Sequence, residues 1–287
     1  MKILVTGANG QLGHALRRLL ADTDHAVDYT DRKELDLTDA SAVRAYVRAT
    51  RPGAIVNCAA YTAVDKAEED ADLCAAINQD AIRTLAEAAA ELDVRLVHVS
   101  TDYVYHNGLN RPLREDDPAT PKSVYARTKL TGELAASKAY AKTVTLRTSW
   151  VYGLEGHNFL RTMQRLGADR ERLTVVSDQI GAPTFADDLA GAVLHVLATA
   201  DLPGGTYNYA GLGVGSWYDF ARAIMEGYGL DCDVAPIMTV DYPTPAARPP
   251  YSVLDLTKAR DAGFPLRHWR DALADFVARD TAGVTAA

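Results

Sequence analysis

Three features of the sequence predict an α/β fold built on a doubly wound parallel sheet, with a smaller C-terminal portion. Short apolar runs alternate with amphipathic stretches through the first half, a glycine-rich turn follows the first run, and the rhythm changes after about residue 153. The runs at 2–6, 26–30, 54–60, 94–100 and 143–149 are of strand length and rich in strand-favouring residues. Helical stretches near 11–21, 39–50, 71–92 and 122–141 separate them. In the third of these, Leu73, Ile77, Ala81, Leu85 and Ala88 keep an apolar face at helical spacing. Strands buried on both faces, each followed by a helix, pair in parallel through right-handed crossovers. A ligand of such a sheet belongs at the carboxyl ends of its strands. Beyond residue 153 the chain is richer in Pro and Gly (DQIGAPTF, DLPGGTYNYAG, TPAARPPYS), with helices near 185–199, 216–228 and 268–279.

Composition narrows the function. The 287 residues are 48% hydrophobic and 24% charged, as in soluble globular proteins. A net charge of −8 argues against a nucleic-acid binder, which needs a basic surface. No apolar run reaches the roughly 18–20 residues of a membrane helix, and Met1 leads straight into a strand-like segment. A cytoplasmic protein without membrane partners is expected. Cys58, Cys74 and Cys232 form no C-x-x-C pair, and Cys58 reads as a small buried hydrophobe. The acidic run from Asp65 to Asp70 reads as a solvated helix face.

The first strand ends in Thr6-Gly7-Ala8-Asn9-Gly10-Gln11-Leu12-Gly13, a T-G-x-x-G-x-x-G pattern. Gly7 permits the tight turn, Gly13 lets the helix pack close, and a pyrophosphate sits on the free N–H groups of the helix start. Residues 1–153 are therefore expected to form a Rossmann-like dinucleotide-binding domain. Residues 154–287 are expected to form a substrate-binding portion interleaved with the last strands of the sheet. At the end of the second strand Asp31 suits free ribose hydroxyls, as in NAD, whereas Arg32 suits the 2′-phosphate of NADP. The cofactor choice stays open on this evidence. Asp36 and Leu37 are placed to flank adenine, and Ala59, Ala60 and Tyr61 to line the cofactor's ribose.

Two Y-x-x-x-K pairs occur, and chance can supply one in a chain with 14 tyrosines. Tyr29 and Lys33 lie at a strand end, where residues four apart are not neighbours. Tyr125 and Lys129 open a helix, where they share a face. Ketone reduction needs a proton on oxygen, and a phenol with a pKa near 10 holds its proton tightly. A nearby ammonium is expected to stabilise the phenolate and lower that pKa. A hydroxyl from the fourth strand would steady the carbonyl oxygen; Thr101 is the candidate and Ser100 the alternative.

At this point the phrases GANGQLG, AAYTAVDKAE, STDYVY, YARTKLTGE, RTSWVYG, DQIGAPT and ARPPYSVLD, in that order, resemble the dTDP-4-dehydrorhamnose reductase family of extended short-chain dehydrogenases. The resemblance implies Thr101, Tyr125 and Lys129 as the catalytic set, and cofactor contacts from Gly7, Asn9, Gln11, Leu12, Asp36, Leu37, Ala59, Ala60 and Tyr61, with Gly10 in the same turn. It implies sugar contacts from Thr62, Val64, Asp102, Tyr103 and Trp150; charge alone suggests Arg248 for the diphosphate. A tryptophan in Trp150's place serves core packing equally well. The implied reaction is NAD(P)H-dependent reduction of the C4 ketone of a dTDP-4-keto-6-deoxyhexose, ordinarily to dTDP-L-rhamnose, with NADP(H) favoured and NAD(H) allowed. A homodimer is allowed as well. Tyr105-His106-Asn107-Gly108 departs from the Phe-Asp/Glu-Gly-like run common in the family, which leaves open another dTDP-deoxysugar as substrate. A non-catalytic cofactor-binding regulatory subunit is a further alternative, against which the intact Thr101, Tyr125 and Lys129 count. An epimerase or dehydratase that retains its cofactor ranks below reduction, because only Asp102, followed by Tyr103, stands beside the strand-four hydroxyl. Ala15 occupies a position where an acidic magnesium ligand would be expected, so no metal is predicted.

Overall fold

The computed structural model describes residues 1–285. Its first half runs β1 (Lys2–Thr6), α1 (Gln11–Leu20), β2 (Ala26–Thr30), α2 (Ala40–Thr50), β3 (Ala54–Asn57), α3 (Ala71–Ala75), α4 (Ala81–Leu92), β4 (Arg95–Thr101), α5 (Val124–Ala139) and β5 (Val144–Thr148). Then follow β6 (Val151–Tyr152), α6 (Phe159–Asp169), β7 (Arg172–Val176), β8 (Ile180–Gly181), β9 (Thr184–Phe185), α7 (Ala186–Ala198) and β10 (Gly205–Asn208). The chain finishes with β11 (Gly215–Ser216), α8 (Trp217–Tyr228), β12 (Asp233–Ile237), α9 (Thr257–Asp261) and α10 (Trp269–Thr285).

Six strands form the main sheet in the order β10-β5-β4-β3-β1-β2, and every pairing in it is parallel. The alternation of side chains explains why both faces are covered. Ile3 and Val5 of β1 pack on one face with Leu16 of α1 and Leu189 and Val193 of α7. Leu4 of the same strand packs on the other with Val43 of α2, Leu85 of α4 and Ala136 of α5. The chain reverses its direction of travel across the sheet between β1 and β3, and a crevice opens there at the carboxyl ends. A separate apolar cluster, centred on Tyr152, Phe185, Phe220, Trp269 and Phe276, holds the C-terminal helices together.

Helix starts follow their caps. Asp39 accepts from the N–H groups of Ser41 and Ala42, and Ser216 forms a reciprocal capping box with Asp219. The stretch 71–92 is not one uninterrupted α-helix: residues Ala76–Asp80 form a π turn between α3 and α4. The extra residue in that turn splits the apolar face expected there. Ala81, Leu85 and Ala88 reach the core, whereas Leu73 is 40% exposed and, with Ile77, borders the crevice.

The acidic run is also not a plain solvated helix face. Glu68 accepts from the N–H of Val124 (2.7 Å) at the start of α5, and Asp65 forms an ion pair with Arg248 (2.7 Å). Among the described residues, no helix is long and apolar enough to cross a membrane.

Candidate active site

The turn after β1 is shaped by contacts that no side chain tolerates. Gly7 has φ +67°, and a Cβ there would lie 2.5 Å from the Ala59 nitrogen. A Cβ on Gly13 would lie 2.4 Å from the Ala8 oxygen, so the first turn of α1 closes directly on the loop. Beside this turn lies a cleft of about 350 Å³. It is bordered by Gly7, Asn9, Gly10, Asp31, Arg32, Asp36, Leu37, Ala59 and Ala60, all expected from the sequence. Leu35, Thr38, Cys58, Leu73 and Ile77 border it too and were not anticipated. The bare backbone of the turn and the start of α1 fit a dinucleotide pyrophosphate.

Three other expected cofactor residues, Leu12, Gln11 and Tyr61, do not border that cleft. Leu12 is 8% exposed and packs in the core under the turn, so its side chain is withheld from the cleft. The Gln11 side chain accepts from Asn158 (2.9 Å) and so ties α1 to the segment before α6. Tyr61 is clamped by Asn78 of the π turn, which accepts from its N–H (2.9 Å) and donates to its carbonyl (3.1 Å). Its hydroxyl donates to Asp70 (2.8 Å). Arg32 is exposed and lies 3.7 Å from Asp36, whose carboxyl is held low by hydrogen bonds from Thr38.

At the end of β4, Thr101 is buried and its hydroxyl donates to Asp102 (3.1 Å) while accepting from the N–H of Tyr103 (3.1 Å). Side chains alternate along the strand, so Ser100 faces the other way. Asp102 is 2% exposed, and burial pushes its carboxyl up to about 7 against hydrogen bonds from Ser252 and Thr101. Tyr103 meets Tyr125 edge to face, with ring centroids 5.9 Å apart. Tyr125 is the second residue of α5, whose first turn is held by the Ser123 cap and by Glu68. Lys129 follows one turn later, 2% exposed, and its Nζ donates to the Val99 carbonyl (2.6 Å).

One expectation is overturned here. The Tyr125 phenol is pushed up, not down: burial dominates, with a hydrogen bond to Thr101 opposing it and the Asp102 charge reinforcing it. The Lys129 ammonium is bound to a β4 carbonyl, and burial lowers its own pKa to about 8. Tyr125 is therefore a protonated phenol at neutral pH. The other Y-x-x-x-K pair has no such setting, since Arg17 lies over the Tyr29 ring at 4.0 Å.

Of the expected sugar contacts, Asp102 and Tyr103 adjoin this group. Thr62 and Val64 lie in the loop after β3 that carries Asp65, and Arg248 is brought onto that loop by its ion pair. Trp150 has φ +49°, unusual for a bulky residue, and stacks on Trp217 with centroids 3.8 Å apart. Tyr105 has a plainer explanation than altered specificity. It is fully buried, its hydroxyl accepts from Arg147 (2.5 Å) and donates to the Arg114 carbonyl (2.9 Å). Arg147 is in turn paired with buried Glu133 (2.6 Å), so the hydroxyl completes a buried polar network.

Comparison with known proteins bears on this geometry. The family described as the RmlD substrate binding domain matches residues 1–282. A dTDP-4-dehydrorhamnose reductase of Streptomyces griseus is 42% identical over 95% of this chain and 91% of that protein. A probable dTDP-4,6-dihydroxy-2-methyloxan-3-one 4-ketoreductase of Streptomyces antibioticus is 42% identical over 96% of this chain and 94% of its own length. Among solved structures, a dTDP-4-dehydrorhamnose reductase of Bacillus anthracis in complex with NADP superimposes with a TM-score of 0.93 at 36% identity, covering 97% of this chain and 99% of that one.

Proposed function

The chain belongs to the RmlD substrate binding domain family, and from that membership we propose that it reduces the C4 ketone of a dTDP-4-keto-6-deoxyhexose with NADPH. The substrate proposed first is dTDP-4-dehydro-L-rhamnose, giving dTDP-L-rhamnose. The observation that supports the reading is the gathering of Thr101, Tyr125 and Lys129 where the end of β4 meets the first turns of α5, on the sheet whose β1–α1 turn leaves bare backbone for a dinucleotide.

When bound in that cleft, the nicotinamide nucleotide supplies hydride to C4. The chain supplies the proton. Tyr125, kept protonated by burial, donates it to the C4 oxygen as the carbonyl bond becomes a C–O–H group. Thr101 turns its hydroxyl from Asp102 to that oxygen and steadies the charge developing there. Lys129, one helical turn away, balances the charge left on the Tyr125 oxygen and is assigned the nicotinamide ribose. Asp102, Tyr103, Trp150, Thr62 and Val64 are assigned to the sugar, and Arg248 to the diphosphate. Substrate class and cofactor are both cytoplasmic small molecules, and that is the location proposed.

Arg32 supports NADP(H) as the favoured cofactor, with NAD(H) accepted, because its exposed guanidinium can meet a 2′-phosphate. Arg32→Ala is expected to raise KM for NADPH about ten-fold and KM for NADH less than about two-fold. Equal changes for the two cofactors in steady-state kinetics would remove Arg32 from the phosphate site.

A second reading rests on the Streptomyces antibioticus ketoreductase, which is as similar to this chain as the dehydrorhamnose reductases are. It keeps the chemistry and changes the sugar. Purified protein with NADPH and dTDP-4-dehydro-L-rhamnose decides between them. Rapid loss of NADPH absorbance is expected, and turnover only with a different dTDP-4-keto sugar would favour the second reading.

A further inference from the structure

Behind Lys129 lies a buried polar chain that the proposed reaction does not use. The Thr6 hydroxyl of β1 donates to Asn57 Oδ1 (2.6 Å) at the end of β3. Asn57 Nδ2 lies 3.1 Å from His98 Nδ1 on β4, and His98 Nε2 lies 3.4 Å from Lys129 Nζ on α5. None of the four residues is more than 2% exposed. Asn57 closes the otherwise apolar β3, and His98 sits fully buried between Val97 and Val99 of β4, placements that need their partners.

The directions of these hydrogen bonds can be worked out. Asn57 Nδ2 also donates to the Ala59 carbonyl (3.2 Å), and a carbonyl only accepts. The amide is thereby oriented, so Nδ2 donates to His98 as well, and His98 Nδ1 is the acceptor. Burial and the Lys129 charge hold the His98 ring well below its usual pKa, in the neutral form. A neutral imidazole that accepts at Nδ1 carries its proton on Nε2. That N–H points at Lys129. It opposes an ammonium, donor against donor, and suits an amine, whose lone pair accepts it.

We propose that Asn57 and His98 are positioning residues that set the proton affinity of Lys129, the fixed His98 tautomer favouring the amine over the ammonium. Other groups around Lys129 act on the same equilibrium. Burial lowers its pKa, while Glu133 on α5 and Cys74 on α3 raise it. Glu133 is itself engaged by Arg147 of β5, and Tyr125 lies one turn back on α5. If the proposed reaction is correct, the consequence is a proton return step. Lys129 gives a proton to the Tyr125 oxygen after each turnover and regains one from solvent.

The test is NMR of protein labelled with 15N-histidine and 13C-lysine, with the Lys129 signal assigned by its loss in Lys129→Met. The His98 nitrogen shifts are expected to report a proton on Nε2; a proton on Nδ1 would overturn the proposal. Asn57→Leu frees the ring to put its proton on Nδ1 and accept from the ammonium at Nε2. The Lys129 titration midpoint is then expected to rise by about one pH unit. His98→Leu removes the opposing donor and is expected to raise it in the same direction, and this variant carries the test alone if Asn57→Leu does not fold. An unchanged or lowered midpoint in the folded variant overturns the proposal. The ammonium is lost as pH rises, so the alkaline limb of kcat/KM should move up with the midpoint. A midpoint that rises while the limb stays put supports the tuning and removes Lys129 from the proposed reaction instead.

Discussion

Tyr125→Phe is expected to lower kcat by about 10²- to 10⁴-fold with little change in cofactor affinity, because it deletes the group proposed to give the proton and almost nothing else. The phenol stands at the start of α5, edge-on to Tyr103, and burial keeps its proton in place until a stronger base forms beside it. The developing C4 alkoxide is such a base. Phenylalanine keeps the ring contact and the helix, so the loss belongs to the hydroxyl. Steady-state rates and an NADPH titration of the same preparation separate the two effects. A variant with more than about a tenth of the parent rate would transfer the acid role to another group, with Asp102 the nearest alternative.

Gly7→Val is expected to abolish measurable NADPH binding and to destabilise the fold. Two independent costs add at this position. A β-branched residue at φ +67° carries strain of about 1–3 kcal/mol. Its Cβ would also lie 2.5 Å from the Ala59 nitrogen and 2.6 Å from the Ala59 Cα, both main-chain atoms that cannot swing aside. Moving that backbone costs about a further 1–3 kcal/mol and closes the crevice between β1 and β3. Calorimetric titration and thermal melting check both halves. Gly108→Val is the control for φ alone, since Gly108 has φ +74° and open space around it. Parent-like NADPH affinity in folded Gly7→Val would show that the pyrophosphate does not use this turn.

The core of the sheet was legible because β1 to β5 are apolar runs separated by amphipathic helices, a local pattern. Strand β10 was not assigned from the sequence, as Gly205–Asn208 is four residues in a Pro- and Gly-rich stretch. The π turn left no sequence signal. Within it the Asn78 side chain holds both main-chain groups of Tyr61, a contact between residues 17 apart that no local pattern announces.

Within the site, motif residues were readable from local geometry: Gly7 and Thr101 stand at the ends of β1 and β4, and Tyr125 and Lys129 share the first turns of α5. Leu12 shows the limit of a motif, since its side chain belongs to the core though Gly7, Asn9 and Gly10 of the same motif border the cleft. The Asp65–Arg248 pair joins residues far apart in sequence, and nothing local announces it. Asn57 and His98 carry a signal in the sequence itself. A polar side chain within an apolar run marks a buried network, and these two are register partners on adjacent strands. At Tyr125 burial outweighs the neighbouring charges, and charge is visible in a sequence whereas burial is not.

The central claim is reduction at C4 of a dTDP-4-keto sugar, and one measurement reaches it directly. The protein is incubated with dTDP-4-dehydro-L-rhamnose and NADPH carrying deuterium at the transferable nicotinamide position, and the product is read by NMR. Deuterium at C4 of dTDP-L-rhamnose, with a single stereochemistry there, is the result this account predicts. Product with hydrogen at C4, or unchanged substrate in the presence of bound NADPH, would contradict it.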